Sequence, residues 1–283
     1  MKPLVDYKRN VWSQYGEDGI IEEILNRIST SGVELDHWCC EFGAWDGLHL
    51  SNTALLIREG GYKAVLIEGD SRKFFDLKQN FPTSEVEKVC SFVTPAGKTS
   101  LDNILKSTAI PSNFDFLSID IDGMDYHILN SLKEYGPKLV CIEFNPTIPN
   151  IVEFVQENND AVKQGSSARS ILELASSLGY DCIAATYCNL FLIKKEFTEV
   201  VSSSIPSLDE LVPLGTDPQY VFVGYDGSIL SNKSSINLQW HESFPVSNLQ
   251  ILPKFLRKYS GDYNRFEKLF FRIFVFLIRS LRF

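Results

Sequence analysis

Between Gln14 and Lys195 the hydrophobic pattern keeps changing period, from helical spacing to a short unbroken apolar run and back, and few folds accommodate that alternation. Glu17 and Asp18 open an amphipathic stretch carried by Ile20, Ile21, Ile24, Leu25 and Ile28, which predicts a helix with acids at its positive end. The apolar run from His37 to Phe42 stops at Gly43, and Ser51-Asn52 caps a helix through Leu55, Leu56 and Ile57 that ends at Gly60-Gly61. Ala64 to Ile67 reads as a buried strand, and Arg72 to Asn80 as a helix closed by Phe81-Pro82. Strands follow near Val86 to Val93, at Phe114 to Ile119 and at Leu139 to Phe144, with helices at Leu101 to Leu105, Tyr126 to Leu132 and Ser170 to Leu178. Two last runs, Asp181 to Thr186 and Leu190 to Ile193, lie only a few residues apart and predict an antiparallel pair at the sheet edge. The expected fold is α/β: a Rossmann-like, doubly wound, mostly parallel seven-stranded sheet whose last strand is antiparallel.

Such a sheet uses about 200 of the 283 residues, and 44% apolar content gives it a packed core. Residues 201–283 are then an acceptor-side or lid extension, joined through Val201 to Pro206 and containing a strand and turn from Tyr220 to Gly227. Charge divides along the same line. Lys254 to Phe283 holds eight basic and two acidic residues, so +6 sits there and −15 on the rest of a chain whose formal charge is −9. A body that acidic repels nucleic acid, and no nucleic-acid partner is expected. The six cysteines have no zinc-type spacing and read as small buried hydrophobes, which with the absence of an apolar leader points to the cytoplasm.

In a doubly wound sheet, ligands bind past the carboxyl ends of the strands. Here those ends are acidic: Glu41-Phe42-Gly43-Ala44-Trp45-Asp46-Gly47, Glu68-Gly69-Asp70, Asp120-Ile121-Asp122-Gly123-Met124-Asp125 and Glu143-Phe144-Asn145. Gly43 and Gly47 allow a sharp turn, and Glu68 stands 21 residues after Gly47, where an acid suits ribose hydroxyls. Trp45 and Leu48 occupy positions that a dinucleotide fingerprint gives to small residues, and carboxylates repel a pyrophosphate. A cationic, ribose-containing cofactor fits better, and S-adenosylmethionine is one.

These blocks resemble motifs I and II of class I S-adenosylmethionine-dependent methyltransferases. More narrowly, Ser100 to Leu105, Asp115 to Gly123 and Pro137 to Asn145 resemble successive blocks of FkbM-like methyltransferases, with Asp-Ile-Asp-Gly where that family often has a Lys-…-Asp-…-Glu-Gly block. The resemblance implies that Glu41, Gly43, Ala44 and Gly47 hold the methionine end of the cofactor with Asp46 nearby. It also implies that Glu68 binds ribose, that residues near Thr94 border the adenine, and that Asp120 faces the sulfonium and amino groups. It further implies methyl transfer to hydroxyls of sugars and natural products.

A hydroxyl needs a base or a metal before it attacks. Asp120, Asp122, Glu143 and Asn145 come from neighbouring strand ends and could converge on Mg²⁺ or another divalent cation; the alternative is acids that bind cofactor and cap the next helix, with Asp125 a cap. His127 is the candidate base beside Asp120 and Asp122. Asn145, Arg169 and His241 are candidate acceptor contacts, Arg169 for an anionic group and His241 as part of a lid. Other readings stand beside sugar O-methylation: transfer to a phosphorylated or nitrogenous small metabolite, or a catalytically silent methyltransferase-like binding or assembly protein.

Finally, Arg265, Lys268, Arg272, Arg279 and Arg282 form one helical stripe, with Phe266, Leu269, Phe270, Ile273, Phe274, Leu277, Ile278 and Leu281 opposite. Such a helix suits peripheral contact with the inner face of an anionic membrane, or packing on the domain or a second subunit. It is too short to span one.

Overall fold

The computed structural model describes residues 1–213, 219–238 and 241–280, which form two compact units, Met1–Pro213 and Leu214–Phe283. In the first unit seven strands make one sheet: β1 (Trp38–Phe42), β2 (Lys63–Glu68), β3 (Val86–Cys90), β4 (Phe116–Ile119), β5 (Leu139–Glu143), β6 (Tyr180–Ala185) and β7 (Asn189–Lys194). Their order is β3-β2-β1-β4-β5-β7-β6. The first five run parallel, and β7 is antiparallel to both β5 and β6. The reversed strand is therefore last in the chain but not at the edge; β6 is the edge. The winding direction switches between β1 and β4, where Phe42 lies beside Ile119.

Both faces of the sheet are covered, which is why its strands read as continuous apolar runs. Phe42, Ile67, Leu117, Ile119 and Ile142 pack with α4 (Leu101–Leu105), α5 (Asp125–Ser131) and α6 (Ala168–Ser177). Cys39, Leu66, Phe116, Cys141 and Phe191 pack with α1 (Glu17–Thr30), α2 (Ala54–Arg58) and α3 (Ser71–Asn80). Neighbours such as Phe116 and Leu117 go to opposite sides, as the strand period requires.

Local chemistry fixes the helix starts. The Ser51 hydroxyl accepts the amides of Thr53 and Ala54 before α2, and Asp70 accepts those of Arg72 and Lys73 before α3. At α1 the two acids at the N-terminal end are buried. Asp18 Oδ2 accepts the amides of Val11, Trp12 and Ser13 and folds that segment over the helix. β3 stops at Cys90, short of Val93, and Cys90 is the one exposed cysteine; the other five are buried as small apolar residues. Burial pushes the Cys39 and Cys141 thiols well up, so neither is a nucleophile at neutral pH.

After β7 come α7 (Thr198–Val201) and α8 (Leu208–Leu211), the latter started by a Ser207/Glu210 capping box. Val201 is fully buried and its carbonyl accepts from Arg27 Nη1, so Val201 to Pro206 lies within the first unit. The second unit contains two hairpins, β8 (Val221–Val223) with β9 (Ile229–Ser231) and β10 (Ser235–Asn237) with β11 (Ser243–Pro245), and the helix α9 (Arg265–Ser280).

Candidate active site

At the amino ends of the central strands charge is compensated: Lys138 Nζ pairs with the fully buried Asp115 at 2.8 Å and with Asp36 at 2.7 Å. At the carboxyl ends it is not. Oxygens of Asp120, Asp122 and Glu143 lie within 4.8 Å of one another, and among the described residues no lysine or arginine forms an ion pair with them. Asp120 and Glu143 come half-buried from adjacent strands. Burial first, and repulsion from the neighbouring carboxylates second, push both well above the ordinary carboxylate range.

The loop after β4 is held in a strained form. Asp122 adopts φ +58, and Asp125 accepts the amides of Ile121 and Gly123, with burial raising its own carboxyl to about 6. Asp125 is thus the cap of this loop. A second left-handed residue, Trp45 at φ +49, follows β1; its amide donates to Glu68 Oε2, and Lys73 Nζ lies 3.6 Å above its ring.

Several expected ligand residues are committed elsewhere. Glu41 is 5% exposed and accepts from Ser51 Oγ and Thr53 Oγ1, each at 2.6 Å, and from the Asn52 amide, so it pins the 51–53 segment and presents no free carboxylate to a methionine end. The Ala44 amide donates to the Ile67 carbonyl, and its methyl group is in the core. Asp46 Oδ1 accepts the amides of Leu48 and His49. At Gly43 (φ +75) a Cβ would sit 2.1 Å from the Asp120 carbonyl oxygen, so glycine there permits β1 and β4 to approach; at Gly47 (φ +76) it would meet Phe81 and Leu77. Glu68, 6% exposed, accepts the amides of Trp45 and Asp70 and keeps a lone pair on each oxygen.

The acceptor-side candidates are similarly engaged. His127 Nε2 donates to the Gln156 carbonyl at 2.8 Å, which takes that nitrogen out of service as a base. Both ends of the Asn145 amide group are used, on the Gln164 carbonyl and on Thr147. Arg169 Nε donates to the Asn150 carbonyl at 2.6 Å. The Thr94 hydroxyl is bonded within its own loop, to Ala96 and Thr99. His241 is exposed in the second unit, and its neighbours Gln239 and Trp240 lie outside the described residues.

In their place the structure brings up residues that the strand-end rule does not reach. Phe92, 72% exposed just past β3, lies over Gly69, where a Cβ would be 2.3 Å from its ring. Gln156, almost fully buried, accepts the amides of Gln164 and Gly165 and donates to the Val162 carbonyl, fixing the loop that holds His127. Tyr15 and Tyr187 form an exposed ring pair 5.1 Å apart, and the charge of Glu143 is among those that raise the Tyr15 hydroxyl pKa, after burial, Cys188, Tyr187 and Glu17. One buried carboxylate locks both tyrosine segments: Glu17 accepts from the Tyr15 amide, from Thr186 Oγ1 at 2.6 Å and from Asn189 Nδ2. Asn189 in turn stands opposite Glu143 in the sheet.

A seven-stranded sheet with this order and one reversed strand is the Rossmann-like fold of methyltransferases. Residues 43–182 match the methyltransferase FkbM domain, so that segment is a methyltransferase domain of the FkbM type. No curated protein is a significant match. Similar solved structures include the citrinin polyketide synthase CMeT domain (10% identity, 65% of this chain and 54% of that one, TM-score 0.39). Two others are S-adenosylmethionine-dependent methyltransferases, from Clostridium acetobutylicum (8%, 64% and 92%, TM-score 0.41) and from Aquifex aeolicus (11%, 61% and 87%, TM-score 0.35). The chain thus spans about half the length of the first of these.

Proposed function

We propose that this methyltransferase moves a methyl group from S-adenosylmethionine to a hydroxyl of a carbohydrate or glycoconjugate. The observation that carries the reading is the cluster of Asp120, Asp122 and Glu143 carboxylates at the strand ends, on the side of the Tyr15–Tyr187 ring pair. The cofactor, when bound, supplies an electrophilic methyl on a cationic sulfur, and the uncompensated acids suit that charge. An alcohol must lose its proton as its O–CH₃ bond forms, and the ionised member of the pair is a base whose burial matches it to neutral pH. Phe92 over Gly69 offers a face for the adenine, and the free lone pairs of Glu68 suit ribose hydroxyls. The tyrosine rings suit the apolar face of a sugar.

Asp120, Asp122 and Glu143 also make a donor set for Mg²⁺ or another divalent cation: hard oxygens, from two adjacent strands, that now repel one another. An ion held there would polarise the acceptor hydroxyl. Such an ion and protonation of the raised carboxyls would compete for the same oxygens.

Calorimetric titration of the full chain with S-adenosylhomocysteine tests the main reading; binding is expected, and its absence overturns the proposal in favour of a silent scaffold. For the cation, Mg²⁺ should raise the melting temperature of the wild type and not of Asp122→Asn. An equal response in both removes the metal site.

A further inference from the structure

We propose that α9 docks this chain on an anionic lipid surface, lying flat in the headgroup region. The helix is built to stand without a covering element on one side. Asn264 and Glu267 bond each other's backbone amides at its start, and Glu267 also pairs with Lys258 at 2.6 Å. At about 100° per residue its sixteen residues divide into three arcs. The half-buried arc holds Phe271, Phe274, Val275 and Ile278; Phe271 meets the ring of Tyr263 at 5.7 Å, and Ile278 lines a cavity with Val221, Ile229 and Ile251 of its own unit. The next arc, about 120° wide, carries Phe266, Leu269, Phe270, Ile273, Phe276 and Leu277, all between 47% and 76% exposed. The third, about 60° wide and touching the second at Phe276, carries Arg265, Lys268, Arg272 and Arg279 with no acid among them.

That arrangement selects the occupant. Six large apolar side chains in the open cost free energy in water, and the cations along one margin are complementary to the headgroups of anionic phospholipids. A helix of about 24 Å cannot cross a bilayer core of about 30 Å, and no described helix is long and apolar enough to do so. Lying in the interface, it buries the apolar arc among acyl chains while the arginines reach headgroup phosphates and the packed arc keeps hold of its unit. Leu281 and Arg282, which continue both patterns in sequence, lie outside the described residues.

Flotation of the full chain with phosphatidylcholine vesicles, with and without one-third phosphatidylglycerol, tests this. The chain should float with the anionic vesicles and remain behind with the neutral ones. The paired change Arg272→Gln with Arg279→Gln should lower partitioning by at least about tenfold, as should Phe266→Ser with Ile273→Ser. All four side chains are exposed or at a rim, so both variants should melt with the wild type. Absence from the anionic vesicle fraction overturns the proposal, as does equal flotation of the charge variant. Concentration-dependent self-association that Ile273→Ser abolishes, without vesicle binding, overturns it in favour of a second copy of the chain.

Discussion

Carboxylate oxygens of Asp120, just past β4, and Glu143, at the end of β5, lie within 4.8 Å of each other across adjacent parallel strands. Both carboxyls are raised above their unfolded values, chiefly by burial, so the folded state binds more protons than the unfolded chain. Their contribution to stability is then full below the ordinary carboxylate range and is lost as pH climbs through the raised values. Glu143→Gln removes that loss. The melting temperature of the variant relative to the wild type should rise steadily from pH 5 to pH 9, and a gap independent of pH would contradict the upward shift of the carboxyls. Methyl transfer should fall about 10² to 10⁴-fold in the same variant if the pair is the base.

The two motif glycines predict different costs. Gly43→Ala drives a methyl group into the Asp120 carbonyl, which is backbone, whereas Gly47→Ala meets the ring edge of Phe81 and the tip of Leu77, which can turn aside. Both pay for a left-handed φ, about 1–3 kcal/mol. Urea unfolding should therefore rank Gly43→Ala as the more damaging, and the reverse order would remove the close approach of β1 and β4 as its explanation.

Glu17→Gln tests the lock beneath the tyrosine pair. The substituted side chain could still accept on its one oxygen, but its amide nitrogen would face a donor, so a stability loss of about 1–3 kcal/mol is expected by denaturation. Because Tyr15 and Tyr187 would lose their shared anchor, KM for the acceptor should rise more than kcat falls. An unchanged KM would separate the ring pair from acceptor binding.

Phe92→Ala should leave the melting temperature almost untouched, since the ring is largely exposed, and weaken S-adenosylhomocysteine by about 0.5–1.5 kcal/mol. Thr94→Val, whose hydroxyl bonds only within its own loop, should not weaken it. Calorimetry that ranks the two the other way would return the adenine side to Thr94.

How far the sequence went depended on whether a property is local. β1, β2, β4 and β5 were legible because strands buried on both faces leave unbroken apolar runs, and β3 was overextended because Phe92 and Val93 continue the run after the chain has left the sheet. The acids at the strand ends were legible from the position of ligand sites in such sheets. Their partners were not. Glu41 is enclosed by residues ten to twelve positions on, and His127 is tied to a carbonyl twenty-nine positions away. Tyr187 escaped for a topological reason: β7 runs backwards, so the turn at its amino end lies among the carboxyl ends of the others.

Glu17 makes two remote stretches of sequence one inherited part. Residues 13–18 and 186–189 are joined beneath the ring pair by its two oxygens and the groups they hold, so neither stretch can be exchanged alone without leaving a buried donor or acceptor unmatched. Variation in these two stretches, by evolution or by grafting, would then proceed in coordinated pairs of changes, one before the first helix and one in the final hairpin.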